Sequence, residues 1–395
     1  MTPLRLLALC AAVSLSAAPV SLQEFLDAAA HSDAAQARQF AAQANSLQRR
    51  SELLTDGPAL NAQAGYADAK SMSKNAMEYH VSVEKPFRTA DTGRLERLFG
   101  TGSEMTAALE TARLQNRVYA YYIDACTLQE ELWLLEDAKT RGVQMETLIR
   151  TGMEGGEFDR SAWLRSRLNV ETLTLQIDDL NSRYNETFRL LRATAQTEAD
   201  SLLCHDLPGT IALPQQTLLA DAPLLRQLEN RHGSAKALAS YRNSWLQEVT
   251  LAAGYDNEMD VQRANLYLSI PLSGGSRRAN DREAAHRDAL AAGAELRAMH
   301  AELAARVAAF TSAQQTRQQN LKRLNDEMIP EAYETTVLLE ERFMGSEASY
   351  LEYIDSQKML FALLMEGVQL RANALKAEAG LFADLGITPD TKDKK

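Results

Sequence analysis

The sequence has few prolines and glycines, which interrupt helices, and few cysteines, which cross-link small folds. Its 395 residues include only 10 prolines, 19 glycines and 3 cysteines, and aromatic residues make up 6%. Residues 87–207 contain no proline. Because proline and glycine disfavour helix interiors, this composition favours long helices rich in alanine and leucine and argues against a β-sandwich. Three cysteines are also too few for a disulfide scaffold.

Positive charge and long hydrophobic runs are scarce as well. The formal net charge is −11 and no block of lysine and arginine interrupts the chain, so no nucleic-acid partner is expected. After residue 18, no apolar run approaches the roughly 18 residues that a membrane-spanning helix needs. If the mature chain enters a membrane, it must therefore do so as β-strands.

Residues 1–18 have the pattern of an export signal peptide. Arg5 supplies the positive start, an apolar run follows over residues 6–15, and residues 16–18 are small, as at a cleavage site. Lipidation of Cys10 is the weaker alternative, because the residue before it is too large for a lipoprotein cleavage box. We predict that the mature protein is exported.

The mature chain keeps two cysteines, Cys126 and Cys204, which lack CxxC spacing. We expect Cys126 to be a small core residue, with a bridge to Cys204 as the alternative. The pair Cys204-His205 is interpreted as incidental rather than as a metal site. The six histidines have no metalloprotease spacing, and the sequence has no GxSxG motif and no phosphate-binding glycine loop. Neither enzyme activity nor a cofactor is expected.

The chain contains the same order of short motifs twice, in residues 19–200 and again in residues 223–386. Each copy is predicted to contain a helix, two strands, a long helix, a turn and a return helix. A proline-bearing linker over residues 201–222 joins the copies, and residues 387–395 form a polar tail. The matched motifs include Ala64-Gly65-Tyr66 with Ala253-Gly254-Tyr255 and Lys85-Pro86-Phe87 with Ile270-Pro271-Leu272.

Each copy has two short segments in which apolar and polar residues alternate, as they do on the two faces of a strand. The predicted strands cover about residues 59–67 and 77–87 in the first copy, and about 249–256 and 261–271 in the second. Such strands suit a lipid-facing wall, and they also suit ordinary amphipathic hairpins that pack on helices. Four strands cannot close a barrel, so membrane insertion would require several copies of the chain.

The helical segments follow a coiled-coil repeat. Met105, Ala112, Tyr119 and Cys126 recur every seven residues. A helix over about residues 91–151 would be roughly 90 Å long at 1.5 Å per residue, which is more than a compact core requires. These helices favour a rod or the wall of a tube. A soluble periplasmic or surface coiled-coil spacer or adhesin, without channel activity, is the alternative.

The mature sequence resembles the TolC-type outer-membrane efflux proteins over nearly its whole length. Residues 342–358 are similar to the second helix-turn-helix tip of that family, although Ser346 stands where the family has its turn glycine. Residues 270–275 are similar to its strand-to-helix junction. The resemblance implies a mainly α fold with a small β part, built from duplicated helix, β-hairpin and long helical-hairpin units. It also implies a homotrimer with a 12-stranded outer-membrane β-barrel continuous with a periplasmic coiled-coil α-barrel.

The same resemblance implies a function and its partners. Such a protein is a passive exit channel of a tripartite efflux or type I secretion system. It sits in the outer-membrane lipid of a Gram-negative bacterium and projects into the periplasm. Docking of a periplasmic adaptor and an inner-membrane pump opens it.

By resemblance, Glu352 and Asp355 match positions that form acidic rings at the periplasmic aperture, and Phe343 is assigned to the same gate. Glu352 and Asp355 are three residues apart and so lie on one helix face, where a solvated acidic first turn is the alternative. Pro330 removes one helix hydrogen bond and is predicted to kink the long helix before this tip, or else to separate two helices.

The two turns, at about residues 152–159 and 345–349, are predicted to dock the adaptor. Glycine allows the chain to reverse there, and Asp159 and Ser349 are predicted N-caps of the return helices. Tight turns without a docking role are the alternative. The predicted docking residues are Gly155, Gly156, Glu157, Asp159, Gly345, Ser346, Glu347 and Ser349.

Overall fold

The computed structural model describes residues 19–69, 74–89, 92–204, 207, 218–220, 222–244, 246–258, 261–270, 275–345 and 349–389. The predicted signal peptide, Cys10, His205, Ser346 and Glu347 lie outside these residues. The described part of the chain contains eight α-helices, one π-helical turn and four β-strands. The predicted mainly helical fold with a small sheet is confirmed.

Most of the described chain is helical. The longest helix has 63 residues and covers nearly all of the segment, about residues 91–151, for which a long helix is predicted. None of the helices in the described ranges is both long and apolar enough to cross a lipid bilayer. The helices are α1 (Leu22–His31), α2 (Asp33–Ser51), α3 (Gly93–Gly155), α4 (Arg160–Ala195), α5 (Pro223–Asn243), α6 (Ser276–Arg323), α7 (Ile329–Met344) and α8 (Tyr350–Leu385).

The four strands form one antiparallel sheet in the order β1-β2-β3-β4. They coincide with the predicted segments, with ends that differ by a few residues. The two hairpins join through β2 and β3, where Val81 lies opposite Tyr255. The strands are β1 (Ala59–Ala69), β2 (Lys74–Arg88), β3 (Glu248–Glu258) and β4 (Val261–Ser269).

The chain forms two compact units. The first consists of Met1–Ala35, Thr111–Gln215 and Val307–Lys395, and the second of Gln36–Glu110 and Gln216–Arg306. Each unit therefore takes segments from both predicted repeats. The sheet lies in the second unit, and the turns between α3 and α4 and between α7 and α8 lie in the first.

The largest core of the first unit brings together α1, α3, α4 and α8. Phe25 of α1 and Tyr122 of α3 are fully buried and meet edge to face. Val20, just before α1, pairs with Leu202 in a parallel β-bridge. The N-terminal segment is thus held against the segment that follows α4.

A disulfide bond joins Cys126 to Cys204 in this core, with 5.4 Å between the two Cα atoms. Cys126 is buried, but the expectation that it is an unpaired core residue is wrong. Tyr122, one turn earlier on α3, holds the chain beside Cys204, because its hydroxyl donates a hydrogen bond to the Leu203 carbonyl. The bond spans 78 residues and rests on a long-range contact that spacing does not reveal.

Pro330 follows a π-helical turn, Leu324–Met328. The backbone stays right-handed helical from Arg323 into α7, so there is no break at this point. The Ile329 N–H donates to the Leu324 carbonyl, five residues earlier. Pro330 has no N–H to donate to the carbonyl four residues before it, and a widened turn accommodates this loss. The kink remains a prediction.

Candidate functional site

The first predicted tip is a tight turn with a left-handed glycine. Gly156 has a φ of 84°, a conformation that glycine adopts without steric cost. Its N–H donates to the Met153 carbonyl, and the Glu157 N–H donates to the Gly152 carbonyl at 2.7 Å. Gly155 ends α3 and is exposed. These bonds satisfy carbonyls that the end of α3 leaves without helical partners.

Asp159 begins the return helix of this turn. Its carboxylate accepts a hydrogen bond from the Ala162 N–H at 2.7 Å and another from the Ser161 hydroxyl at 2.8 Å. These two bonds hold the pKa of the Asp159 carboxyl below its usual value, with the backbone N–H as the larger cause. The predicted N-cap at Asp159 is confirmed.

The second turn uses a different backbone at its glycine. Gly345 has a φ of −80°, and its N–H donates to the Glu341 carbonyl at 2.9 Å. Ser349 caps α8: its hydroxyl accepts from the Glu352 N–H at 3.3 Å, and the Glu352 carboxylate accepts from the Ser349 N–H at 2.8 Å. This reciprocal arrangement is a capping box, and it confirms the predicted N-cap.

The two acidic residues predicted at the aperture, Glu352 and Asp355, are both exposed in the first turns of α8. Glu352 already serves the capping box, and the bonds from the Ser349 N–H and hydroxyl lower the pKa of its carboxyl. Carboxylates are stabilised at a helix N-terminus, so both side chains suit this position within a single chain. Both side chains also reach solvent.

Phe343, the third residue predicted at the gate, lies between the two helical turns. Its ring is only 3% exposed and belongs to a cluster that we call the turn core. The ring stacks on Phe158 of the first turn at 5.4 Å and on Tyr353 of α8 at 5.8 Å between centroids. In this structure Phe343 therefore packs the two turns together instead of facing solvent. The turn core consists of Met145, Ile149, Phe343, Tyr350, Tyr353 and Ile354, with Phe158, Ala162 and Trp163 packed against it.

Two features of the turn core are not predicted from the sequence. A side chain at Gly152 would collide with Phe158, because an added Cβ would lie 2.4 Å from its ring. Tyr350 and Tyr353 are buried in the turn core, and burial raises the pKa of each hydroxyl to about 12. The sequence feature that could have indicated this core is the concentration of aromatic residues at both turns, in a chain that is otherwise poor in them.

The sheet exposes large apolar side chains on one face and has most of its polar side chains on the other. Leu60 is 69% exposed and Leu266 is 81% exposed, whereas Ser82 on the opposite face is 4% exposed. The register places most of the large apolar residues of the four strands on one face, which we call the apolar sheet face. Soluble proteins rarely leave a patch of this kind uncovered. Its large exposed members are Leu60, Tyr66, Met77, Tyr79, Val81, Val83, Phe87, Leu251, Tyr255, Leu266, Leu268 and Ile270.

The opposite face of the sheet has a polar network across three strands. The Asp256 carboxylate of β3 is hydrogen-bonded to the His80 ring of β2 and accepts from the Asn265 amide of β4. The His80 ring lies over Gly254, where an added Cβ would come within 3.3 Å of it. These contacts join the two hairpins by side chains as well as by the backbone. In the described ranges, no group of three or more potential ligands could hold a metal ion.

The fold is similar to that of solved outer-membrane proteins. The outer membrane protein VceC from Vibrio cholerae aligns with a TM-score of 0.73 and 15% identity, over 93% of this chain and 96% of VceC. A membrane protein from Pseudomonas aeruginosa gives 0.75 and 17%, over 93% and 90% of the two chains. The Campylobacter jejuni outer membrane channel CmeC gives 0.72 and 12%, over 94% and 87%.

No protein-family model matches the sequence, and no curated protein matches it. At identities of 12 to 17%, the likeness to these structures establishes a shared fold. The chain has the fold of outer-membrane channel proteins of the TolC type, as the sequence resemblance implies.

Proposed function

We propose that this protein is a passive outer-membrane channel whose apolar sheet face contacts lipid, and that it serves as the exit duct of an efflux or secretion system. The exposed apolar sheet face is the observation that carries the proposal. Burying one large apolar side chain is worth about 1.5–3 kcal/mol, so twelve exposed side chains on one sheet face favour an apolar surrounding strongly. The export signal predicted in residues 1–18 directs the chain toward the same compartment.

Lipid contact also requires an oligomer. A sheet of four strands has two edges, at β1 and β4, whose backbone groups would have no partners in hydrocarbon. Copies of the chain that pair edge to edge remove this cost by closing a barrel. Three copies give the 12 strands that the family resemblance implies, and the polar network around Asp256 then faces the interior. The similar fold of VceC, CmeC and the Pseudomonas aeruginosa membrane protein supports this arrangement.

The helical turns are the proposed contact for partners in the periplasm. The turn residues Gly155, Glu157 and Asp159 are exposed and not part of the turn core, which leaves them accessible to the helical hairpin of an adaptor. Glu352 and Asp355 from three copies would place six carboxylates around the aperture and favour cations there. An inner-membrane pump would supply the energy, since the channel itself performs no chemistry.

A pair of substitutions on adjacent residues tests lipid contact. Leu266 lies on the apolar sheet face and Tyr267 on the opposite face, and both are exposed. In the outer membrane, Leu266→Arg should cost about 2–4 kcal/mol if the residue lies near the bilayer midplane, while Tyr267→Arg should cost much less. The measurement is the yield of trimers extracted from outer membranes, together with the free energy of unfolding in lipid. Equal, small effects of the two substitutions would favour the soluble spacer or adhesin instead.

A further inference from the structure

The disulfide between Cys126 and Cys204 lies where three segments of the first unit meet. One is α3, one is the segment that follows α4, and the third is the N-terminal segment before α1. The Val20 N–H donates to the Ser201 carbonyl at 3.1 Å, and the Leu203 N–H donates to the Val20 carbonyl at 3.1 Å. The residues next to Cys204 therefore hold the N-terminal segment in place. We call this position of the N-terminal segment its seat.

One face of α3 holds that seat through two side chains. Tyr122 and Cys126 are four residues apart and so project from the same face. Tyr122 donates its hydroxyl hydrogen to the Leu203 carbonyl and packs against Phe25, while Cys126 is bonded covalently to Cys204. The hydrogen bond can open at little cost, whereas the covalent bond cannot open without a chemical reaction.

The bond also closes the base of the first helical hairpin. The 78-residue separation takes in the rest of α3, the turn at Gly156 and all of α4. A cross-link over a loop of this length removes much of the conformational freedom of the unfolded chain. In the folded state, the bond fixes the end of α4 and the segment that follows it against α3.

We propose that oxidation of Cys126 and Cys204 is a maturation step of this protein, required to seat its N-terminal segment. The reaction partner is a disulfide-bearing oxidant, either a thiol-disulfide oxidoreductase or a small-molecule disulfide. The chain thereby acquires a requirement for an oxidising compartment, where such bonds form and persist.

The chemistry is thiol-disulfide exchange. One thiolate attacks the disulfide of the oxidant, which forms a mixed disulfide and expels one thiolate of the oxidant. The second thiolate of the chain then attacks the mixed disulfide, closes the bond between Cys126 and Cys204, and expels the second thiolate of the oxidant, so that both oxidant sulfurs end as thiols. The chain loses two electrons, the oxidant gains them, and two protons leave the chain thiols. Cys204 is only partly buried and Cys126 is 3% exposed, so in the folded chain Cys204 is the sulfur that a reductant reaches.

The first test is the bond itself, in exported protein that carries Cys10→Ser so that only the two mature cysteines remain. Trypsin digestion without reductant should release residues 118–139 linked to residues 193–226, since these are the tryptic peptides that contain Cys126 and Cys204. Reductant should separate them with a mass gain of about two hydrogen atoms. Recovery of both peptides with free thiols from freshly exported protein would overturn the proposal.

The second test asks whether the bond seats the N-terminal segment. Hydrogen exchange of the Val20 and Leu203 amides should accelerate about tenfold or more when the folded protein is reduced. The thermal midpoint should fall by about 5–10 °C. The control is Cys126→Ser/Cys204→Ser in the same background, in which reductant should change neither quantity. If that variant does not fold, reduction of the folded oxidised chain still gives both measurements.

Unchanged exchange and an unchanged midpoint after complete reduction would contradict the proposal, because the noncovalent contacts would then suffice. These measurements do not involve conductance or lipid contact. Failure of this proposal therefore leaves the proposed channel function standing, and failure of the channel function leaves this proposal standing.

Discussion

The ring of Phe158 fills the space beside Gly152. A Cβ atom added at position 152 would lie only 2.4 Å from this ring. Phe158 in turn stacks on Phe343, so the absence of a side chain at Gly152 allows the two helical turns to share one core. Gly156 has the left-handed backbone of the same turn, whereas Gly152 lies in the last turns of α3. The two glycines thus serve different physical purposes within five residues.

Gly152→Ala is expected to destabilise the turn core, because Phe158 must leave its stacked position. Overpacking of this kind costs about 1–3 kcal/mol in the free energy of unfolding. The matched control is Gly155→Ala, since nothing lies within 4 Å of a Cβ at that position and its backbone is not left-handed. Thermal denaturation and protease cleavage at the turn measure the difference. Equal stability of the two variants would contradict the described packing of Phe158.

Alkaline pH is expected to open the turn core. Burial raises the pKa of Tyr350 and Tyr353 to about 12, above the usual value of 10, so the fold favours the neutral phenols. Their contribution to stability is fully present below pH 10 and is lost as the pH rises toward 12. A Tyr350→Phe/Tyr353→Phe variant should lose less stability than the wild type between these pH values. Tyr333→Phe serves as the control, because Tyr333 is exposed.

Acidic pH is expected to loosen the start of α8. Hydrogen bonds from Ser349 lower the pKa of Glu352, so the ionised carboxylate stabilises the cap above its unfolded pKa and loses this effect as the pH falls through the lowered value. Glu352→Gln should remove most of this pH dependence. Hydrogen exchange of the first amides of α8 at pH 3 to 6 measures this pH dependence. The same pH profile in the wild type and in Glu352→Gln would contradict the capping role.

The acidic aperture is tested by ion selectivity. Glu352→Ala combined with Asp355→Ala should reduce the preference for cations and the block by multivalent cations in planar-bilayer recordings, because six carboxylates would leave the opening. Unchanged selectivity and block would remove these residues from the aperture. Ser349→Ala is a useful control, since it weakens the cap without removing a charge.

The docking role of the turns is tested by reversing an exposed charge. Glu157→Arg should leave the trimer and its stability unchanged, because Glu157 is exposed and not part of the turn core. If the turn contacts an adaptor, the substitution should abolish efflux in cells. Glu198→Arg, at another exposed acidic residue, should leave efflux intact. Full efflux with Glu157→Arg would contradict docking at this turn.

Local patterns predicted the strands, the long helix and both N-caps, because alternation, heptad spacing and capping residues act over a few neighbouring positions. The disulfide and the turn core depend on residues brought together from distant parts of the chain. Cys126 and Cys204 illustrate this, since they are 78 residues apart in the chain and meet only in the folded core. Phe343 illustrates it as well, because its burial depends on contacts with Phe158 and Tyr353 that its place in the sequence does not reveal.

The contact of the apolar sheet face with lipid is tested most directly by quenching from within the bilayer. A fluorophore attached to cysteine at position 266, and in a second protein at position 267, would be measured in vesicles that contain lipids brominated on their acyl chains. We predict strong quenching at position 266 and weak quenching at position 267, because these residues face opposite sides of β4. Equal quenching at both positions, or no association with the vesicles, would contradict the account.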